Sequence, residues 1–227
     1  MDTRMMRSVV GLVVVALGSA GQAARAQAQS HDESEDADEK VEMTMGFIGG
    51  ERSYEGMAFE TDASVPGAGA LVEPFDGAPF DRVGVLGLRY DVRLVVSHVR
   101  MTAGVDFPFA TYRASDATGT YRVLDQDARV TVQSLRPYEL RFGIGGEGRV
   151  GPVALFGDLL GGVHWVNATL SIEGQSADYS AVAFAFSLRA GARFYVRDWF
   201  FISAAGDLGL VGPVLWNAEL SLGFSLP

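Results

Sequence analysis

Between Val95 and Phe109 the chain alternates with a period of two. One set reads Val95, Ser97, Val99, Met101, Ala103, Val105, Phe107 and Phe109; the other reads Val96, His98, Arg100, Thr102, Gly104, Asp106 and Pro108. Successive side chains on a strand point to opposite faces, so this stretch predicts a strand with one apolar face and one ionisable, small-residue face. A soluble sheet can do this once. Here the pattern recurs along most of the chain, and that recurrence is what limits the fold.

Eight alternating segments can be read, each near the 9–11 residues that a tilted membrane strand needs. The first, about Val41 to Glu51, sets Val41, Met43, Met45 and Phe47 against Glu42 and Thr44. The second, about Arg82 to Asp91, turns Leu86, Leu88 and Tyr90 outward and Arg89 inward. Val95 to Phe109 is the third. The fourth, about Val132 to Gly146, opposes Tyr138, Leu140, Phe142 and Ile144 to Glu139 and Arg141. The fifth, about Val153 to Asn167, opposes Leu155, Leu159, Val163 and Trp165 to Asp158 and His164. In the sixth, about Tyr179 to Tyr195, Val182, Phe184, Phe186, Leu188 and Phe194 face away from Ser187, Arg189 and Arg193. The seventh, about Trp199 to Leu210, carries Asp207 inward, and the eighth, from Val214 onward, carries Asn217 and Glu219.

Connections after the odd segments are long at first (Arg52 to Asp81, Ala110 to Thr131, Ala168 to Asp178). Those after even segments are short, near Val92 to Leu94, Glu147 to Pro152 and Val196 to Asp198. Short turns on one side and long loops on the other are the mark of a membrane barrel. The reading is all-β: an eight-stranded, antiparallel, up-and-down transmembrane β-barrel over residues 41–227. A ten-strand count would need Tyr121 to Gln133 to pair inside the membrane, and its charges favour an outer loop.

Residues 1–26 read as a signal peptide. Arg4 and Arg7 precede the apolar run Val9 to Leu17, and cleavage is expected after Ala26 or Ala28. That run is too short for a membrane helix. Residues 27–40 form an acidic spacer, HDESEDADEK at its end, with too little apolar surface to fold. The expected location is the outer membrane of a Gram-negative bacterium, with both mature termini periplasmic.

Two further patterns agree with a barrel. Trp165, Trp199 and Trp216, with Tyr90, Tyr138, Tyr179 and Phe194, fall at expected strand ends, where aromatic girdles belong. The inward face mixes Glu42, Asp106, Glu139, Asp158, Asp207 and Glu219 with Arg89, Arg100, Arg141, Arg189, Arg193 and His98. An eight-stranded interior is just wide enough for side chains to fill, so these charges are expected to pair as a plug.

Over residues 41–227 the chain resembles the small eight-stranded outer-membrane barrels, the OmpA transmembrane domain and the OmpX/Ail group. The likeness lies in architecture. It implies a non-enzymatic structural or surface-interaction role through the outer loops, contact with outer-membrane lipids and lipopolysaccharide, and insertion by the barrel-assembly machinery. Such barrels commonly end in an aromatic residue; here Phe224 is followed by Ser225, Leu226 and Pro227.

Other chemistry is poorly supported. Gly143 to Gly148 fits G-x-G-x-x-G, but Arg149-Val150-Gly151-Pro152 follows instead of a helix to hold a pyrophosphate. Ser97 and His98, as strand neighbours, would face opposite sides and could not act as nucleophile and base. A lipid A-modifying enzyme and a narrow passive pore remain the alternatives. With no cysteine, three scattered histidines, one lysine and a net charge of −10, no cofactor, metal or nucleic acid is expected, and the protein is expected to be monomeric. Arg113, Arg122 and Arg129, with Arg136 below them, are candidate loop contacts for phosphate or a surface ligand.

Overall fold

Alternating β-branched and aromatic residues hold nearly every described residue in a strand, and the strand pairing closes on itself. A computed structural model describes residues 39–54, 57–61, 72–76, 82–112 and 118–226. The signal peptide, most of the acidic spacer and Arg113 lie outside the described residues. The strands are β1 (Glu39–Arg52), β2 (Glu60–Thr61), β3 (Val72–Asp76), β4 (Val83–Val96), β5 (Val99–Tyr112) and β6 (Thr118–Val123). They continue with β7 (Gln126–Val150), β8 (Val153–Ile172), β9 (Gln175–Arg197), β10 (Phe200–Val211) and β11 (Val214–Leu226). Antiparallel pairing runs β1–β4–β5–β7–β8–β9–β10–β11, and β11 returns to β1, giving a ring of eight strands. Outside that ring β6 pairs with β7, β3 with β6, and β2 with β9.

One end of the ring, the terminus end, carries Glu39, Leu226 and the turns at Ser97–His98, Gly151–Pro152 and Asp198–Trp199. The opposite, loop end carries the segments after β1 and β5 and the turns at Glu173–Gly174 and Gly212–Pro213. Glu173 and Gly174 both have positive φ, 47° and 86°, the conformation that lets a two-residue hairpin follow the strand twist. The hairpins on either side of it are tall. β7 spans 25 residues, β8 20 and β9 23, so one wall rises well past the others. β5 leaves this wall early: its pairing with β7 stops at Asp106–Glu139, next to Pro108 and Pro137, which have no N–H to donate.

The structure corrects several boundaries. Val95 to Phe109 is not one strand, because Ser97 takes a left-handed φ of 56° and turns the chain between β4 and β5. Val92 to Leu94 is strand interior, Val95 points inward, and His98 is an exposed turn residue outside the charged interior. The connection Ala168 to Asp178 shrinks to Glu173–Gly174, and Glu147 to Pro152 shrinks to Gly151–Pro152. Tyr121 to Gln133 does form a hairpin, β6 with the start of β7, but it adds no strand to the ring.

Polarity along the tall wall reverses at one height. On β8 the outward residues are Val153, Leu155, Leu159, Val163 and Trp165, then Asn167, Thr169 and Ser171; the inward ones include Asp158 and His164, then Val166, Ala168 and Leu170. β9 repeats this, with outward Ser176, Asp178 and Ser180 giving way to Val182, Phe184 and Phe186. Above the switch the outer face is a polar ladder. Ser134 Oγ donates to Thr169 Oγ1 (3.0 Å), Thr169 Oγ1 to Asp178 Oδ1 (2.9 Å) and Gln133 Nε2 to Ser176 Oγ (2.8 Å). Below it, large apolar side chains stand exposed on every ring strand, Phe47 at 66%, Leu155 at 65% and Phe184 at 72% among them.

Candidate functional site: the charged interior and its cap

Alternation places one residue in two inside the ring, and in its middle those residues carry ionisable side chains. Glu42, Arg89, Arg100, Asp106, Glu139, Arg141, Asp158, Arg189, Arg193, Asp207 and Glu219 are all buried there. They are joined by Arg52, Asp91 and Arg93, giving seven arginines and seven carboxylates among the buried described residues. Apart from His164, every buried base among the described residues is an arginine, whose planar fork presents five donors in fixed directions where a lysine offers a point charge with three.

The central level is held by three forks. Arg89 grips Asp106 with Nε and Nη2, both at 2.8 Å, and turns Nη1 to Asp207 (2.6 Å) and Glu219 (3.1 Å). Arg141 Nη2 and Arg189 Nη1 donate to the two oxygens of Asp91, at 2.7 and 2.9 Å, and Arg189 Nη2 also donates to Glu219. The Asp91–Arg141 pair needs Gly104, because a Cβ there would stand 2.0 Å from Asp91 Oδ1. Toward the terminus end Arg100 donates to Asp158 (2.5 Å), and Arg193 to Glu42 (2.5 Å) and Glu147 (2.9 Å). The Phe156 ring lies beneath three guanidinium groups, with Arg100 4.1 Å, Arg193 5.0 Å and Arg189 5.8 Å from its centroid.

Toward the loop end the interior becomes apolar. Arg52 Nη1 donates to Asn217 Oδ1 (2.6 Å), and its Nη2 stands 3.7 Å from Glu139, which in turn lies 3.8 Å from His164 Nδ1. Tyr54 closes this level from above, its hydroxyl 3.2 Å from His164 Nε2 and its ring 5.7 Å from the imidazole. Burial pushes the Tyr54 phenol well above its ordinary pKa, so it stays protonated and shares a hydrogen bond with that nitrogen. Tyr54 and Phe59 then pack on Val83, Val130, Val132, Leu135, Val166 and Leu170, all buried. The segment after β1 therefore folds into the ring mouth, pinned by Ser53 N–H to Pro213 O (2.7 Å) and by β2 along β9.

The expected aromatic set divides. Tyr138 and Trp165 stack at 5.6 Å on the outer face, at the height of the polarity switch. Trp216 donates to Glu51 Oε2 (3.0 Å) near the loop end. Trp199 stacks on Phe224 at 6.1 Å at the terminus end, where Phe194 is also exposed. Two residues depart from the expectation: Tyr90 sits in mid-strand, paired with Met45 and Val105, and Tyr179 is turned inward into the cap. Arg122, Arg129 and Arg136 are exposed on the tall wall. Gly143 to Gly148 lies within β7, with no helix after it.

The interior holds residues that the sequence reading passed over. Asp91 ends the second expected strand with no face assigned to it, Arg93 falls in the expected connection after it, and Arg52 and Glu147 fall in expected connections too; extending the odd-inward parity from Arg89 finds the first two. His98 stands outside the interior, and His164, expected on the inward face, is buried there. Among the described residues no group of three histidines, cysteines or acids is arranged to hold a metal.

No family model and no curated protein matches the chain. Among solved structures it is similar to Ail, the attachment invasion locus protein of Yersinia pestis, at 16% identity over 82% of this chain and 98% of that one, with a TM-score of 0.46. It is also similar to Neisserial surface protein A, at 10% identity over 83% of this chain and 96% of that one, TM-score 0.43. For the N-terminal β-barrel domain of Pseudomonas aeruginosa OprF the values are 15%, 82%, 97% and 0.38.

Proposed function

We propose that the chain is a non-enzymatic outer-membrane β-barrel of a Gram-negative bacterium, closed to solutes, whose tall wall at the loop end carries recognition at the cell surface. The polarity reversal along β8 and β9 is the observation that carries this reading. A water-soluble protein rarely exposes one large apolar patch, whereas here apolar side chains stand exposed on all eight ring strands and give way to polar ones along β8 and β9. Phe194, paired with Val153, marks the lower limit and Trp165 the upper, twelve residues further along β8. At about 3.3 Å per residue and a tilt near 45° that is roughly 28 Å, close to the ≈25 Å apolar band of such barrels.

Closure follows from the filling. The forks of Arg89, Arg141 and Arg189 cross the centre, and Tyr54 and Phe59 cap the mouth. The turn position of His98 removes it from any interior serine, and His164 is engaged by Tyr54 and Glu139. The lipid partners are acyl chains along the band and lipopolysaccharide beside the exposed arginines of the tall wall; the termini lie on the periplasmic side and the barrel acts as a monomer. Planar-bilayer conductance tests this reading. Inserted, refolded protein is expected to be electrically silent, and reproducible channels would overturn the closed interior and make the protein a pore.

A further inference from the structure

We propose that the terminus-end half of the interior binds a small inorganic anion between Arg93 and Arg193. The observation is a local surplus of buried donors. Arg93 Nε and Nη1, Arg193 Nε and Nη2, and Arg100 Nε have no hydrogen-bond partner among the described residues. The nearby carboxylate oxygens are already engaged. Glu42 takes Arg193 on one oxygen and the Tyr195 hydroxyl (3.2 Å) on the other; Asp91 is filled by Arg93, Arg141 and Arg189; Glu147 Oε2 takes Arg100 and Arg193. Two buried oxygens are left: Asp158 Oδ1, which faces the backbone at Gly145, and Glu219 Oε1, on a carboxylate already held by Arg89 and Arg189.

The hydroxyls of Thr44, Ser203 and Ser221 are likewise buried and unpartnered, and strand register brings them to the same place. Ser203 is the cross-strand partner of both Arg193 and Ser221. Arg93 is paired with Glu42, two residues from Thr44 on the same inner face. Thr44 and the Phe201 ring meet over Gly223, and Arg193 lies 4.8 Å above that ring. The unpartnered guanidinium N–H groups outnumber the free carboxylate oxygens beside them, and with hydroxyls that can also donate they form a donor-rich surface, the chemistry that recognises a halide or a phosphate-type oxyanion. Of the other unpartnered guanidinium nitrogens, two differ in having a carboxylate at hand: Arg141 Nη1 and Arg189 Nε each have Asp207 within 3.9 Å. Entry is from the terminus end, where Glu147 and Tyr195 form a half-buried rim.

The test is the unfolding midpoint of the refolded full chain in zwitterionic detergent, titrated with sodium chloride or sodium phosphate against sodium gluconate at constant ionic strength. The expected result is a saturable rise, with chloride alone identifying a halide site and phosphate an oxyanion site. Thr44→Val with Ser203→Ala leaves every ion pair intact and should weaken the half-saturating concentration about tenfold; Arg193→Met should abolish saturation. An equal, unsaturating effect of all three salts would overturn the proposal. So would a half-point unchanged in the hydroxyl variant, which remains decisive should Arg193→Met fail to fold.

Discussion

The tall wall continues three of the eight strands of the lower ring, with the same inward parity on β8 and β9, yet the two regions are filled in opposite ways. Below the Tyr138–Trp165 pair the outside is apolar and the inside is arginine and carboxylate. Above it the outside is a ladder of Ser, Thr, Gln and Asp, and the inside is Val, Leu and Tyr. The difference teaches that the fold does not dictate which face is greasy; the solvent around it does. Where the surroundings are water, apolar side chains go in and supply the stability. Where they are lipid, nothing is gained by burying a leucine, and charges can occupy the interior only if their partners are built in.

The largest expected effect comes from breaking the lower filling. Arg89→Met strands Asp106, Asp207 and Glu219 together in the centre, and loss of one partner of a buried network costs about 3–5 kcal/mol. Urea unfolding in bilayer vesicles should show it, and a change below about 1 kcal/mol would mean that the network reorganises freely. The next experiment sets the two regions side by side. Leu159→Arg, outward in the lower ring, should cost about 2–4 kcal/mol, whereas Thr169→Arg, on the same face of the same strand, should change stability by no more than about 0.5 kcal/mol. Equal costs would erase the boundary. The smallest effect lies at the junction: Tyr54→Phe removes the hydroxyl from His164 and should cost about 1 kcal/mol while leaving the cap packed.

Much of the lower ring could be read from residues alone, because a period of two with one apolar face leaves a strong signal. Turn positions left a weaker one. Outward residues are even at Tyr90 and odd at Val99, so the parity must change between them, but alternation cannot say where; the left-handed Ser97 decides it. Misplacing that turn hid Arg93 and drew His98 into the interior. The tall wall was hidden for a different reason. Its outward polar residues look like loop sequence to anyone expecting apolar residues outside, so Ala168 to Asp178 reads as a connection although it is almost entirely strand. The cap was beyond reach, since Tyr54 and Phe59 act through contacts with β7, β8 and β9 far along the chain.

The reversal itself can be measured. The chain has no cysteine, so a nitroxide can be attached singly at each outward position of β8 from Leu155 to Ser171. In reconstituted vesicles, collision with oxygen reports lipid and collision with a water-soluble nickel chelate reports solvent. Leu155, Leu159 and Val163 should favour oxygen and Asn167, Thr169 and Ser171 the chelate, with the crossover at Trp165. Uniform access to the chelate along the whole strand would contradict the membrane assignment.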